Sequence, residues 1–172
     1  MDRLTSLIRD IPDFPEPGVV FKDITPVLAD GDAFTELVDA LAAPFADSGI
    51  TKVAGIEARG FTLATPVADR LGAGFIPVRK PGKLPYDTIR EDYQLEYGTD
   101  ALEIHTDAVE EDDKVLIVDD VIATGGTAAA AVRLFKGVDA EITAFAVFIE
   151  LVFLNGARKL DGIPLHALVR FD

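Results

Sequence analysis

The chain has 172 residues, the usual length of one compact domain, and its 49% hydrophobic and 27% charged residues are typical proportions for a globular protein. Sixteen Lys and Arg residues stand against 30 Asp and Glu residues, which gives a formal net charge of −14. This charge argues against nucleic acid as a partner, because phosphate affinity depends on a basic field. Cysteine is absent, which excludes disulfides, thiolate metal sites and cysteine nucleophiles.

The N-terminus predicts a short amphipathic helix, since Leu4, Leu7, Ile8 and Ile11 recur at helical spacing. Prolines and a glycine between residues 12 and 18 then predict an irregular arm. The N-terminal charges are too frequent for a signal sequence, and the most apolar stretch of the chain is far shorter than the ~20 residues that span a bilayer. We therefore expect a soluble, cytoplasmic protein with no membrane contact.

Beyond residue 32, helical and strand-like patterns alternate along the chain. An alternation of this kind predicts an α/β domain with a mainly parallel sheet and helices packed against it. Residues 80–100 are polar and rich in proline and glycine, which predicts a long loop of the kind that closes over an active site. The predicted helices span 33–45, 61–71 and 127–136, and the predicted strands span 52–56, 74–78, 114–118 and 142–149.

Residues 115–128, VLIVDDVIATGGTA, carry the most informative pattern. An apolar strand delivers Asp119 and Asp120 at its carboxyl end, where ligands bind in open α/β sheets. The turn that follows exposes backbone N–H groups at a helix N-terminus, and Thr124 and Thr127 add hydroxyl donors, so the turn suits a phosphate dianion. The two carboxylates beside it suit ribose hydroxyls or a hydrated Mg²⁺.

Other interpretations of this segment fit less well. A Gly-Gly-Thr turn alone is an ordinary turn and helix cap, but adjacent carboxylates repel one another unless a cation or hydroxyl donors balance them. A nucleoside triphosphatase would need a G-x-x-x-x-G-K-[ST] loop and a dinucleotide site would need G-x-G-x-x-G, and the sequence contains neither. The two histidines, His105 and His166, are too few for a serine-type triad or a histidine metal cage and are interpreted as structural.

Five further segments make the pattern more specific. Together with residues 115–128 they resemble the adenine phosphoribosyltransferases, members of the type I phosphoribosyltransferase family, over nearly the full length of the chain. The segments are DFPEPGVVFKDITP at 13–26, GIEARGF at 55–61, RKPGKLP at 79–85, LEYGTD at 95–100 and FLNG at 153–156.

The resemblance implies a type I phosphoribosyltransferase fold, an open, mainly parallel twisted sheet flanked by helices in a single domain over residues 1–172. Residues from about 1 to 30 would form most of a small hood, and residues from about 80 to 100 a lid loop. The implied reaction is adenine plus 5-phosphoribosyl 1-diphosphate (PRPP) to AMP plus diphosphate, in purine salvage, with Mg²⁺ bound alongside PRPP. The resemblance also implies a homodimer.

The resemblance assigns roles to residues that match the family motifs. The 5′-phosphate loop would be Ala123, Thr124, Gly125, Gly126 and Thr127, with Asp119 and Asp120 at the ribose and Mg²⁺. The departing diphosphate requires cations and a backbone that approaches it closely. These would be supplied by Ala58, Arg59, Gly60, Arg79, Lys80 and Lys83. Catalysis would involve Arg59, Glu96 as proton acceptor or donor near adenine N7, and Tyr97 near the ribose. The base would contact Val20, Phe21, Lys22 and Leu154.

Three alternatives remain open from the sequence. Hypoxanthine or guanine could replace adenine, because a base read by backbone groups leaves little trace in side chains. A non-catalytic regulator that senses PRPP is disfavoured by the missing basic face. Arg59 could simply pair with Glu57. The resemblance further suggests a pairing between the hood and Glu96. Lys22 stands where some family members have arginine, which weakens the case for that pairing in this chain.

Overall fold

The computed structural model of the chain describes residues 2–94 and 98–172. Helices and strands alternate through most of this length. The helices are α1 (Asp2–Leu7), α2 (Thr25–Ala29), α3 (Gly31–Ala42), α4 (Arg59–Leu71) and α5 (Gly126–Lys136). The strands are β1 (Arg9–Pro12), β2 (Val20–Asp23), β3 (Lys52–Ile56), β4 (Gly74–Val78), β5 (Thr88–Gln94), β6 (Thr99–His105), β7 (Lys114–Ile122), β8 (Glu141–Leu151) and β9 (Leu165–Phe171).

The central sheet has five strands in the order β4-β3-β7-β8-β9, and every neighbouring pair is parallel. Its middle strand, β7, buries both of its faces, which is why its sequence is a continuous apolar run. Leu116 and Val118 pack with residues of α3 and α4, whereas Val115 and Ile117 pack with residues of α5 and β6. The predicted α/β architecture with helices on both faces of a parallel sheet is confirmed.

The N-terminal region differs from its prediction. Helix α1 ends at Leu7, and Ile11 lies in β1, opposite Phe21 of β2 in an antiparallel pair. A proline disfavours helical backbone at the residue that precedes it, so Pro12 keeps Ile11 extended. Leu4 of α1 and Val27 of α2 are fully buried in the cluster that also contains residues of α3, so the N-terminal region packs on the main core.

The segment predicted as a lid loop is also more ordered than expected. Strands β5 and β6 form an antiparallel pair in which Tyr93 lies opposite Asp100. Tyr93, Leu102 and Ile104 are buried against α5 and the sheet. Three consecutive charged residues, 90–92, separate the apolar residues Ile89 and Tyr93 of β5, and this polarity concealed the strand. The predicted lid therefore contains an antiparallel strand pair, β5 and β6, where an irregular loop was expected.

Candidate active site

A cavity of about 320 Å³ opens where β3 and β7 end and α5 begins. It is lined by residues 56–59, Lys80 and residues 119–128. The carboxyl ends of neighbouring parallel strands lie at one edge of the sheet, so segments distant in sequence converge there. The volume falls within the range of small-molecule sites. The structure thus brings the predicted phosphate loop, both aspartates, Ala58, Arg59 and Lys80 to one cavity.

The loop of residues 123–127 presents backbone groups to this cavity. Gly125 has φ +76°, a left-handed conformation that favours glycine, and its carbonyl accepts a bond from the N–H of Ala129 in the first turn of α5 (2.9 Å). The N–H groups at the start of α5 have no partners within the helix and carry its positive dipole end. The arrangement suits an anion at the loop.

The two carboxylates that precede the loop differ in environment. Asp120 is 3% exposed, and one of its oxygens accepts a bond from Nε of Arg59. The N–H of Asp120 donates to Oδ1 of Asp119 (2.9 Å). Burial raises the pKa of Asp119 well above its ordinary range, and the neighbouring charge of Asp120 is the second cause of this rise. Asp119 is therefore the carboxylate that would gain most from a cation or from hydroxyl donors.

Arg59 joins the cavity to the N-terminal arm. It is the first residue of α4, its side chain is half exposed, and its guanidinium lies 4.9 Å from the ring centre of Phe21. Arg59 pairs with Asp120 rather than with Glu57, the alternative that the sequence left open. Gly60 lies so close to β7 that a Cβ built on it would be 2.9 Å from Oδ1 of Asp119. This close approach brings Arg59 beside the carboxylates.

Glu57 is a charged residue of the site that the sequence assignments missed. It lies one position beyond β3 and lines the cavity. Its carboxylate accepts bonds from Nε and Nη2 of Arg79 (3.1 and 3.3 Å) and from the backbone N–H of Lys80 (2.9 Å). The bonds from Arg79, and next from Lys80, lower the pKa of Glu57. Its position just after a strand's carboxyl end was the available signal.

The predicted diphosphate residues separate into two groups. Ala58, Arg59 and Lys80 line the cavity, whereas Gly60, Arg79 and Lys83 lie beside it without lining it. Arg79 is occupied by Glu57 and also donates from Nη1 to the carbonyl of Lys83 (3.2 Å). This places Arg79 as a support for the turn that carries Lys80, and its contact with diphosphate stays a prediction.

The predicted base residues lie outside the lining of the cavity. Val20 and Leu154 are exposed, and Phe21 packs edge-to-face on Phe14 with ring centres 5.1 Å apart. Lys22 pairs with Asp10 (2.6 Å) and lies 4.0 Å from the ring centre of Phe171. Phe21 is linked to a lining residue through Arg59. Glu96 and Tyr97 lie outside the described residues.

Comparison with known proteins identifies the family. Residues 27–161 match the model of the phosphoribosyl transferase domain. The adenine phosphoribosyltransferase of Anaeromyxobacter dehalogenans is 56% identical over 171 residues, covering 99% of this chain and 99% of that protein. The one of Thermotoga neapolitana is 52% identical over 166 residues, covering 96% of this chain and 98% of that protein. The chain belongs to the adenine phosphoribosyltransferase family.

Solved structures of adenine phosphoribosyltransferases share the whole fold. That of Rhodothermus marinus superposes with a TM-score of 0.94 at 52% identity, covering 99% of this chain and 97% of the other. That of Saccharomyces cerevisiae, determined with an imino-altritol bisphosphate and adenine, has a TM-score of 0.93 at 38% identity, covering 98% and 97%. The type I phosphoribosyltransferase fold expected from the sequence is confirmed.

The family model encompasses every residue that lines the cavity, whereas Val20, Phe21 and Lys22 precede it. The family match therefore includes the glycine-rich loop and both aspartates but not the predicted base residues of the arm. Across residues 2–94 and 98–172, no helix is long and apolar enough to cross a membrane. In the same residues, His, Asp and Glu side chains form no group of three that could hold a metal by themselves.

Proposed function

We propose that this chain transfers the 5-phosphoribosyl group of PRPP to adenine, giving AMP and diphosphate, as a step of purine salvage. The observation that carries the proposal is the cavity in which Asp119 and Asp120 lie between the glycine-rich loop and Arg59. A phosphorylated ribose needs an anion site and hydroxyl acceptors in this relation. The family supports the same reaction, since the relatives at 50–56% identity are named adenine phosphoribosyltransferases.

The loop of residues 123–127 binds the 5′-phosphate in this proposal. Its N–H groups and the hydroxyls of Thr124 and Thr127 donate to the phosphate oxygens, and the dipole of α5 favours the dianion. Asp119 and Asp120 accept hydrogen bonds from the ribose hydroxyls. Ribose hydroxyls thus satisfy the carboxylate whose charge is least well balanced, Asp119.

Mg²⁺ fits the donors of this site. The ion is usually held by one or two carboxylates together with substrate phosphates and water, and the site offers two carboxylates beside the place of the diphosphate. Asp119 and Asp120 would hold it, directly or through water. When bound, Mg²⁺ neutralises charge on the diphosphate as it departs.

The reaction breaks the bond between the anomeric carbon and the diphosphate oxygen, and the bond to N9 of adenine forms. Positive charge grows on the ribose while the electron pair of the broken bond leaves with the diphosphate. Arg59 and Lys80 donate to the diphosphate as its charge grows, which stabilises the transition state more than the bound substrate. As N9 bonds to the ribose, the base loses a proton, and Glu96 is assigned by the family resemblance to accept it at adenine N7. The same resemblance assigns Tyr97 to the ribose and leaving group.

Adenine binds between the cavity and the arm, because the predicted base residues lie beside the cavity and do not line it. Backbone groups near Val20 contact the polar edge of the base, and Phe21 and Leu154 contact its faces. The contact of Phe21 with Arg59 supports this placement, because it brings the arm next to the cation that binds the departing diphosphate. In the yeast relative, a bisphosphate and adenine were bound together.

The assembly and location follow the same family resemblance. The chain forms a homodimer in the cytoplasm, and residues 1–172 act as one domain with the hood at the N-terminus. Its partners are PRPP and adenine, and neither nucleic acid nor membrane takes part.

Diphosphate release tests the proposed function. The purified chain is incubated with PRPP, Mg²⁺ and adenine, hypoxanthine or guanine in parallel, and each reaction is repeated with excess chelator. Adenine should be the best substrate, and the chelator should abolish release. A preference for hypoxanthine or guanine would reject the choice of base, and PRPP binding without turnover of any base would favour a regulator.

A further inference from the structure

Lys80, at the beginning of the lid, is held by two side chains of the hairpin β5–β6. Its Nζ donates to the hydroxyl of Tyr93 (2.9 Å) and to the carboxylate of Asp100. An ammonium group carries three N–H donors, so these two contacts leave one N–H for a ligand in the cavity that Lys80 lines. Burial alone would lower the pKa of Lys80, but the bonds with Asp100 and Tyr93 outweigh it and raise that pKa. The ammonium therefore stays charged.

Tyr93 connects this lysine to the phosphate loop. Its side chain is buried at 5% exposure, and its hydroxyl donates to Oδ2 of Asp100 (3.2 Å). The same hydroxyl accepts from Lys80 and from Oγ1 of Thr127 (3.4 Å). A tyrosine hydroxyl has one donor and two acceptor sites, and here all three are used. The ring also lies beside Gly126, since a Cβ built on that glycine would be 3.8 Å from Cδ2 of Tyr93.

We infer that Tyr93 is a positioning residue that holds the ammonium of Lys80 and the hydroxyl of Thr127 at a fixed separation. This inference rests on the proposed function, which assigns Lys80 to the diphosphate and Thr127 to the 5′-phosphate. These groups lie at opposite ends of PRPP. One buried hydroxyl thus sets the distance between the cation for one end and the loop for the other before the substrate arrives, which reduces the entropy lost on binding.

The substitution Tyr93→Phe isolates the hydroxyl, because it retains the buried ring. Without the hydroxyl, Lys80 keeps only Asp100 and Thr127 loses its contact with the hairpin. We expect the Kd and KM for PRPP to rise about tenfold, the size of a lost hydrogen bond to a charged group. The KM for adenine should change less than twofold, and kcat should fall less than the KM for PRPP rises. Tyr86→Phe is the matched control, since Tyr86 is 59% exposed on the same lid.

A double-mutant cycle tests the coupling directly. PRPP binding is measured by calorimetry without adenine for Lys80→Met, Thr127→Val and the double variant, each with Tyr93 intact and again combined with Tyr93→Phe. With the tyrosine intact, the two substitutions should be non-additive, because they share that partner. In the Tyr93→Phe background, their effects should multiply, as for independent sites. Thermal unfolding of each variant separates this result from a general loss of structure, which would weaken adenine and PRPP use together.

The outcomes separate the inference from the proposed function. An active wild type whose Tyr93→Phe variant binds PRPP as the control does would overturn the inference alone. Additive effects of Lys80→Met and Thr127→Val in the tyrosine background would also overturn it. That second criterion decides the matter even if Tyr93→Phe fails to fold. A wild type that neither binds PRPP nor releases diphosphate would reject both proposals.

Discussion

Gly125, in the predicted 5′-phosphate loop of residues 123–127, lies backbone against backbone with Gly156. A Cβ built on Gly125 would be 2.4 Å from the carbonyl oxygen of Gly156, and one built on Gly156 would be 2.2 Å from the carbonyl oxygen of Ala123. Backbone cannot yield as a flexible side chain can, so a methyl group at either position must displace the loop. The segment after β8 therefore fixes the shape of a loop that precedes α5.

Gly156→Ala should weaken PRPP binding by at least about tenfold and lower the free energy of unfolding by about 1–3 kcal/mol, the usual effect of overpacking. Titration with PRPP and thermal unfolding measure the two effects. Gly31→Ala is the control, because a Cβ at Gly31 meets open space. Equal PRPP affinity in both variants would show that the loop does not depend on Gly156.

Arg59→Ala should lower kcat about a hundredfold, or about 3 kcal/mol, while the KM for PRPP rises much less. The physical reason is that charge on the diphosphate grows in the transition state, where a cation contributes most. Steady-state kinetics with PRPP and adenine provide the measurement. A rise in KM at constant kcat would make Arg59 an anchor of the bound substrate instead.

Arg70→Ala offers a closely matched control for this prediction. Arg70 lies on the same helix, pairs with Asp39 through its own Nε, and has a side chain 47% exposed, against 50% for Arg59. The two substitutions remove the same group at nearly the same exposure, and only Arg59 has a buried partner in the cavity, Asp120. A comparable loss of activity in both variants would point to the helix rather than to the leaving group.

The sequence predicted the part of the site that depends on local chain order. A buried apolar strand, two acids, a glycine-rich turn and a helix follow one another in residues 114–136, and local propensities determine each of them. Their joint position at the sheet edge then follows from the parallel topology. Asp119, Asp120 and the loop of residues 123–127 consequently appear together in the cavity as expected.

Pairings between distant segments could not be predicted in this way. The sequence offered Glu57 as a neighbour of Arg59, two positions away, yet Glu57 pairs with Arg79 and Arg59 pairs with Asp120. Choosing among acids of one cavity requires the actual directions of the side chains. Strand β5 was missed for another reason, since three consecutive charged residues interrupt its apolar pattern. Arg90 and Asp92 pair with each other, and Glu91 pairs with Arg133 of α5.

Asp119→Asn should raise the melting temperature at neutral pH while weakening the use of PRPP. The folded state raises the pKa of Asp119 above its ordinary 3.8. The charged carboxylate therefore destabilises the fold at every pH above that raised value, and asparagine removes the charge. Asparagine retains an oxygen for the N–H of Asp120, so the local backbone contact survives. A more stable but less active variant is expected where charge is held for a ligand.

The pH dependence checks the sign of this effect. The stabilisation should be largest at neutral pH and shrink as the pH falls toward 3.8, below which wild-type Asp119 is protonated in both the folded and unfolded states. Melting curves of wild type and variant across this range measure it. Asp112→Asn, an exposed change of equal charge, is the control. A melting temperature lowered by Asp119→Asn at neutral pH would contradict the assignment of a strained charge.

Glu57→Gln should act in the opposite direction. The bonds from Arg79 and Lys80 hold the pKa of Glu57 in the folded state below its ordinary 4.5. The charged carboxylate therefore stabilises the fold fully above pH 4.5, and this contribution is lost as the pH falls through the lowered pKa of the folded state. At neutral pH the variant should lose about 1–2 kcal/mol of unfolding free energy, since charged hydrogen bonds are replaced by neutral ones. Below the lowered pKa, wild type and variant should converge.

The same substitution connects stability to function, because Glu57 fixes the backbone N–H of Lys80. Loosening that turn should raise the KM for PRPP several-fold and leave the KM for adenine unchanged. Denaturant unfolding at several pH values and kinetics at neutral pH measure the two effects, with the exposed Glu111→Gln as control. A stability loss that persists in acid would mean that Glu57 contributes by packing, and an unchanged KM would mean that Lys80 is held by Tyr93 and Asp100 alone.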